Sequence, residues 1–445
     1  MKTIITYGTY DMLHIGHINL LTRAKARGDY LIVGVTSDDY DRSRGKLNVV
    51  QSQEMRVAAI KELDFVDKVI FEIHKDQKQE DIVKYDVDEF VIGDDWKGYF
   101  DYLENHTKVI YLPRTKGISS TKIRNDIVQF IKIGIVGANG DARRFIKEQM
   151  FVDFTMCTHI YDPELKNIES IQKKLDIEYS HTDLEEFLEG DFQAVYICSD
   201  ISDRYDHIKR SLLAGKHILC ENPLAIKECH AQELFSLAKQ KNLLLLMALK
   251  TAFAPAFNKL LDELKNSTIG SIREVRATFT SLYRERGFPK RYISHGATNL
   301  LMSYPLLIIH KIAGRAQQVT FFDQTNGQYD TSNRAITTHD KDIVGIATVG
   351  IEMKSEGDAV ISGTRGYIYI PAPWWLTKEF YVKFEDEHKS YKFEYEFAGD
   401  GLRYMISEFA SLIWQGRIES ERLTIKDILD INRTITLYNK DKNDT

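Results

Sequence analysis

Two histidines, His14 and His17, stand three residues apart in the stretch Tyr7-Gly8-Thr9-Tyr10-Asp11-Met12-Leu13-His14-Ile15-Gly16-His17. Imidazole N–H groups donate to phosphate oxygens in both the neutral and the cationic form, and Gly16 leaves room for a phosphate to approach the backbone. The competing reading is a satisfied surface histidine beside one that caps a helix. The flanking pattern favours phosphate chemistry. Residues 2–6 form an apolar, β-branched run that predicts a buried strand, Gly8 allows a tight turn, and Ile18, Leu20, Leu21 and Ala24 fall on one face of a helix over residues 18–25. The histidines therefore sit between a strand's carboxyl end and a helix start, where open α/β sheets bind ligands and helix N–H groups favour anions. A second stretch, Gly117-Ile118-Ser119-Ser120-Thr121-Lys122-Ile123-Arg124, opens another helix with hydroxyls suited to capping. Its cations oppose the helix dipole, so an anion such as a triphosphate tail is expected to offset them.

These motifs, with "GDYLIV" (28–33), "FVIGDDW" (90–96) and "VIYLPRTKGISSTKIR" (109–124), resemble the glycerol-3-phosphate cytidylyltransferases over residues 2–127. Class I aminoacyl-tRNA synthetases share a His-Ile-Gly-His string, but nothing downstream looks like an anticodon-binding domain. The resemblance implies transfer of CMP from CTP to a small polyol phosphate, with Mg²⁺, by in-line attack at the α-phosphorus and departure of pyrophosphate. It places His14 and His17 on the α- and β-phosphate oxygens, and Ser119, Thr121 and Lys122 at the β/γ end, with Ser120 among the nucleotide-binding residues. Lys46 and Arg56 would reach the triphosphate or the incoming phosphate, and Arg114 the nucleotide or acceptor phosphate. Thr9, Tyr10, Gly16 and Asp94 complete the expected nucleotide site. For Lys46 and Arg56 the alternative is a pair of solvated surface cations. The preference for cytosine rests on the resemblance alone.

The elements that must position these groups read as repeated βα units. Strands are expected at residues 30–36, 68–71, 90–93 and 109–112, with a mixed-charge loop at 37–45, a helix opened by Arg56, and another helix ending near Tyr85. Asp94-Asp95-Trp96 closes a strand, where carboxylates can hold Mg²⁺ or a substrate hydroxyl, although Asp after Gly is ordinary loop chemistry too. The outcome is a doubly wound parallel sheet of Rossmann-like type with its site at the carboxyl ends. Residues 119–130 read as one helix.

At 445 residues the chain exceeds one ordinary domain. Hydrophobic residues at 43% and charged residues at 28% are globular values, and a net charge of −6 argues against a general nucleic-acid binder. Cys157, Cys198, Cys220 and Cys229 show no CxxC spacing, lie on apolar stretches and read as reduced core residues with no zinc site. The first strand begins at once and no apolar run is long enough to span a bilayer, so a cytoplasmic chain without membrane insertion is expected. A homo-oligomer is expected as well.

The boundaries read as 1–130 for the transferase, 131–250 for a Rossmann dinucleotide-binding domain and 251–445 for a further α/β domain with an open, mainly antiparallel sheet. Residues 131–142 give strand, glycine turn and helix start, with Gly137, Asn139 and Gly140 in the turn and Asn139 at the second glycine position of the dinucleotide fingerprint. Asp162 closes the next strand where an acid would bind ribose hydroxyls, and Pro163 follows without an arginine, so NAD(H) is favoured. "LLAGKHILCENPLA" (212–225), "VISGTRGYIYIP" (360–371) and "LRYMISEFASLIWQGRIES" (402–420) resemble the glucose-fructose oxidoreductase/inositol dehydrogenase family. Ser199, Glu221 and Asn222 join the cofactor candidates. That family's Glu-Lys-Pro reads Glu221-Asn222-Pro223, and the acidic member of a later motif is Leu300, while Tyr304 keeps a polar group at its end. Asparagine cannot act as a general acid, so Lys250 or Tyr304 would have to supply the proton. The other reading of Lys250 is a solvated lysine at a helix start.

Three functions follow as expectations. One is a bifunctional enzyme that reduces a carbonyl compound with NAD(P)H to a polyol phosphate and activates it as a CDP-alditol for a surface polymer. Another is a cytidylyltransferase with a silent oxidoreductase-like domain. The third is a phosphate sensor without turnover.

Overall fold

The computed structural model of the chain describes residues 2–443 apart from 12, 14, 44–48, 50, 75, 114–129, 153–154, 173–174, 176 and 396. It divides into two compact units, Met1–Phe130 and Ile131–Thr445.

In the first unit, alternate residues of the strands feed two cores. Ile4, Leu31, Val33 and Val91 pack on one face with Leu21 and Ala24 of the helix Ile15–Lys25, while Ile5, Ile32, Phe90 and Ile92 pack on the other with Phe100 and Leu103. Burying each large apolar side chain contributes roughly 1.5–3 kcal/mol, so a one-residue slip of register is prohibitive. Strands β1 (Thr3–Gly8), β2 (Tyr30–Thr36), β3 (Lys68–Glu72), β4 (Glu89–Gly93) and β5 (Lys108–Leu112) form a sheet of order β3-β2-β1-β4-β5, parallel throughout. Its order reverses between β1 and β4, so ligands belong at their carboxyl ends.

Two expectations need correction here. The stretch read as a loop over residues 37–45 holds a helix, Asp38–Ser43, whose first turn carries Asp38, Asp39 and Asp41. Carboxylates there complement the macrodipole, a gain that a charge count misses. The next helix is opened by Ser52 rather than Arg56: it spans Gln53–Lys61, and Ser52 accepts from the Met55 N–H. The helix expected over residues 119–130 lies outside the described residues, save Phe130.

The second unit contains two sheets. Strands β6 (Ile131–Val136), β7 (Thr155–Tyr161), β8 (Tyr179–His181), β9 (Ala194–Ile197), β10 (His217–Glu221) and β11 (Leu245–Ala248) are parallel in the order β11-β10-β9-β6-β7-β8, with the reversal between β6 and β9. The other sheet runs β13-β14-β15-β12-β16-β17-β18-β19. Its strands are β12 (Ile272–Thr280), β13 (Gln318–Thr325), β14 (Asp330–Thr338), β15 (Val344–Gly350), β16 (Ala359–Gly363), β17 (Tyr367–Ile370), β18 (Glu379–Lys383) and β19 (Tyr391–Glu394). Every pairing is antiparallel apart from β12 with β15. Side chains of the last helix, Ile425–Asn443, reach the parallel half: Asn432 donates to the Ala225 carbonyl and Thr436 to that of Ile226. No described helix is long and apolar enough to cross a membrane.

Candidate functional site

The first site grows from the end of β1. Tyr10 adopts φ +52° and is 3% exposed, with its ring folded back over Gly8, where an added Cβ would meet ring atoms at 3.0–3.2 Å. A side chain at position 8 would crowd that ring, which would have to give by a few tenths of an ångström. The Tyr10 hydroxyl lies 3.4 Å from Thr6 Oγ1, and its ring stands edge-on to His17 with centroids 5.4 Å apart. Burial raises the Tyr10 phenol above its ordinary value, so it stays neutral. Gly16 and His17 lie in the first turn of the helix Ile15–Lys25, which follows β1 where the strand order of the sheet reverses. Asp94 opens a short 3₁₀ turn, Asp94–Trp96, after β4 at the same edge.

Arg56, expected at the phosphates, is instead 0% exposed and braces this loop. Its Nη1 donates to the carbonyls of Thr9 (2.7 Å) and Thr36 (2.8 Å), and its Nε to that of Gln51 (3.1 Å). Its charge meets Asp38 directly and Asp41 at 3.8 Å. Thr9, expected at the nucleotide, donates through Oγ1 to Asp41 at 3.0 Å, and Asp11 accepts from the Gln51 N–H at 2.9 Å. Sequence reasoning missed Asp11, Asp38 and Asp41 as clamps; the acidic run from residue 38 was the available signal. His14, Lys46, Arg114, Ser119, Ser120, Thr121 and Lys122 lie outside the described residues. Among the described residues no group of three His, Cys, Asp or Glu is placed to hold a metal ion.

The second site lies at the carboxyl ends of β6, β9 and β10. Gly137 has φ +100°, and a Cβ there would lie 2.9 Å from the Ser199 nitrogen, so only glycine lets the turn pass. Ser199 is engaged with His207, its Oγ 2.8 Å from Nδ1. Asn139 caps the helix Gly140–Gln149 by accepting from the N–H groups of Asp141 (2.9 Å) and Ala142 (3.1 Å). Beside Gly140 an added Cβ would meet nothing within 4 Å. Asp162 accepts from the Ala138 N–H (2.8 Å), the Glu164 N–H (3.0 Å) and Asn167 (3.0 Å), so it supports the glycine turn from behind.

Glu221 takes the Tyr196 hydroxyl at 2.5 Å, and burial, reinforced by Asp141, raises its carboxyl. Asn222 is 7% exposed; its Nδ2 lies 3.5 Å from the Ala248 carbonyl, and its buried Oδ1 has no partner. Lys250 is not the solvated lysine of the alternative reading. It opens a 3₁₀ turn after β11, and its ammonium donates to the Asp400 carbonyl. Burial lowers its amine below the ordinary value, Asp400 opposes this, and nearby Arg144 adds to it. Burial raises the Tyr304 phenol, and the Phe279 ring packs edge-on to it at 4.9 Å. Arg144, which no motif signalled, pairs with Asp141 at 2.8 Å and approaches Asp400 at 3.5 Å.

A dinucleotide cofactor can be tested against these residues. The orphaned Asn222 acceptor, the glycine-only turn at Gly137 and the open space beside Gly140 suit one. Glu221 ends β10, Lys250 follows β11, and Tyr304, on the helix Ser303–Ala313, feels the charge of Glu221; these groups would hold or move a proton. Asn139 occupies the helix start where the dinucleotide's pyrophosphate would lie.

Comparison with known proteins agrees with this division. A cytidylyltransferase-like family model matches residues 5–126, and a model for an oxidoreductase family with an NAD-binding Rossmann fold matches residues 131–249. Glycerol-3-phosphate cytidylyltransferase of Bacillus subtilis is 48% identical over 127 residues, covering 28% of this chain and 98% of that protein. Trans-1,2-dihydrobenzene-1,2-diol dehydrogenase of Bos taurus is 25% identical over 272 residues, covering 58% of this chain and 80% of that protein. A 3-ketoreductase from Actinomadura kijaniata, solved with NADP and TDP-benzene, superposes with a TM-score of 0.62 at 22% identity, covering 69% of this chain and 96% of that one. This last likeness carries the fold. The chain belongs to the cytidylyltransferase-like family of nucleotidyltransferases, and a unit of the NAD-binding oxidoreductase family follows in the same polypeptide.

Proposed function

We propose that the first unit transfers CMP from CTP to glycerol 3-phosphate or a similar small polyol phosphate. The observation that carries this reading is the turn Gly8-Thr9-Tyr10, which delivers His17 to a helix start at the reversal point of the sheet. A phosphomonoester oxygen attacks the α-phosphorus, the α–β anhydride bond breaks, and pyrophosphate leaves. No covalent enzyme intermediate is needed, so positioning and electrostatics carry the rate. His14, His17 and the helix N–H groups take the charge that develops on the phosphate oxygens, while Lys46, Arg114, Ser119, Ser120, Thr121 and Lys122 hold the rest of the nucleotide and the acceptor. Mg²⁺ accompanies the triphosphate instead of occupying a carboxylate cage. The product is a CDP-alditol suited to building a surface polymer.

The second unit is the reductase that makes the polyol phosphate. NAD(P)H, when bound, supplies a hydride to a carbonyl carbon. Lys250 is the better proton donor, because its lowered amine releases a proton more readily than the raised Tyr304 phenol. A silent second unit is the alternative, favoured by Asn222, which has no proton to give.

The test measures pyrophosphate released from CTP, Mg²⁺ and polyol phosphates of three to six carbons. Wild type is expected to turn over at least one of them, and His17→Ala to lose roughly 10²–10³-fold. Absence of release with every acceptor, or an unimpaired His17→Ala, would overturn the transferase reading.

A further inference from the structure

In the second unit four of the N–H donors around the turn that would cradle a dinucleotide pyrophosphate, those of Gly137, Ala138, Asp141 and Ala142, are already engaged. Such a turn binds phosphate through backbone N–H groups at the helix start, and its second glycine lets the pyrophosphate approach closely. Here the N–H of Gly137 goes to the Tyr161 carbonyl at 2.8 Å and that of Ala138 to Asp162 at 2.8 Å. Those of Asp141 and Ala142, at the start of the helix, both go to Asn139 Oδ1. The other end of the same carboxamide donates to the Cys198 carbonyl at 2.6 Å, across the reversal point between β6 and β9. One side chain therefore occupies the helix start and ties the two strand ends together. Asp141 adds a carboxylate to that first turn, held by Arg144 at 2.8 Å. Space for a phosphate still exists beside Gly140.

We propose that Asn139 is a built-in occupant of the pyrophosphate position, which a dinucleotide must displace, so that this residue sets the cofactor affinity of the second unit. The proposal rests on the NAD(P)-binding reading of that unit. An amide oxygen satisfies the same donors as a phosphate oxygen without its charge, so the empty turn is stable and the loaded turn pays for the lost cap. From the usual worth of an asparagine cap, displacement weakens binding by about tenfold. Loss of the cap and gain of the ligand then have opposite signs, which a purely structural asparagine would not produce.

The experiment titrates the full chain with NADH and, separately, NADPH by nucleotide fluorescence, and records thermal unfolding of the free protein. Asn139→Gly is expected to bind one of them about tenfold more tightly than wild type while its ligand-free Tm falls. Asn139→Asp keeps a capping oxygen but turns its second oxygen on the Cys198 carbonyl, so its ligand-free Tm falls as well, and its charge opposes pyrophosphate so that binding weakens at least tenfold. If Asn139→Gly does not fold, Asn139→Asp decides alone. Wild-type affinity in Asn139→Asp, or equal or weaker affinity in a folded Asn139→Gly, overturns the role of Asn139 and leaves the NAD(P) reading standing. If no variant binds either nucleotide, both fall.

Discussion

Arg56 illustrates how far a residue can be read before its surroundings are known. A cation near phosphate-binding motifs has one appearance in sequence whether it touches substrate or holds the loop that does. Its partners decide, and Asp38 and Asp41 lie 18 and 15 positions away in an acidic run that looks solvated. With the side chain fully buried, the charge needs those carboxylates and three carbonyls. Breaking a buried pair by removing one partner costs about 3–5 kcal/mol, because the other charge stays behind. Arg56→Gln is therefore expected to lower the urea stability of the first unit by about 3 kcal/mol and to reduce kcat as the Thr9 turn loosens. Arg56→Lys keeps the charge but loses the fork, so it should fall between Gln and wild type. A phosphate-contacting arginine would instead raise KM with stability unchanged, and that outcome would remove the bracing role. By contrast Gly8 and His17 were legible, because a strand–glycine–helix sequence constrains where its polar groups stand. Asn139 was legible as a departure from a glycine pattern, while its cap across to Cys198 depends on a partner 59 residues away.

At the scale of elements, continuous apolar runs buried on both faces made the parallel strands readable, whereas capping decided where helices start. Residues 37–45 read as a loop because a mixed run of charges suggests solvent, yet the carboxylates suit a helix's first turn. The helix Ser303–Ala313 shows the converse, a mainly apolar element that buries the imidazole of His310. His310 Nδ1 lies 2.9 Å from the Gly314 carbonyl and Nε2 lies 3.3 Å from Thr434 on the last helix. Burial holds its imidazole down at about 4, with the Gly314 carbonyl opposing and His339 adding to the effect. The unfolded chain titrates near 6.5. Between pH 6.5 and about 4 the unfolded state binds the extra proton, so stability from this group is complete above 6.5 and is lost as pH falls towards 4. The full loss is about 3 kcal/mol at roughly 1.36 kcal/mol per pKa unit. Urea midpoints of the second unit at pH 7 and 4.5 should differ less in His310→Gln than in wild type. An unchanged difference would assign the acid sensitivity elsewhere.

At the scale of the molecule, the chain divides between Phe130 and Ile131, and each sheet closes within its own stretch of sequence. Every strand of the first sheet comes from residues 3–112, and the other two sheets use residues 131–248 and 272–394. A division at 250/251 would fall inside the second unit, where Lys250 on one side holds Asp400 on the other. The fusion has a chemical logic if one unit makes what the other consumes: reduction of a carbonyl creates a hydroxyl on a phosphorylated carbon chain, and nucleotidyl transfer then extends its phosphate. The prediction is that the intact chain, given a phosphorylated carbonyl compound of three to six carbons, NAD(P)H and CTP, oxidises the nicotinamide and releases pyrophosphate in equal amounts. His17→Ala should still oxidise NAD(P)H while its pyrophosphate falls roughly 10²–10³-fold, so the polyol phosphate accumulates. Lys250→Met should stop oxidation from the carbonyl compound while leaving pyrophosphate release from ready-made polyol phosphate intact, because Lys250 lies wholly in the second unit. Chromatography of the phosphorylated intermediate distinguishes the two blocks. Pyrophosphate release from polyol phosphate with no NAD(P)H oxidation against any carbonyl compound would leave a monofunctional transferase carrying a silent second unit.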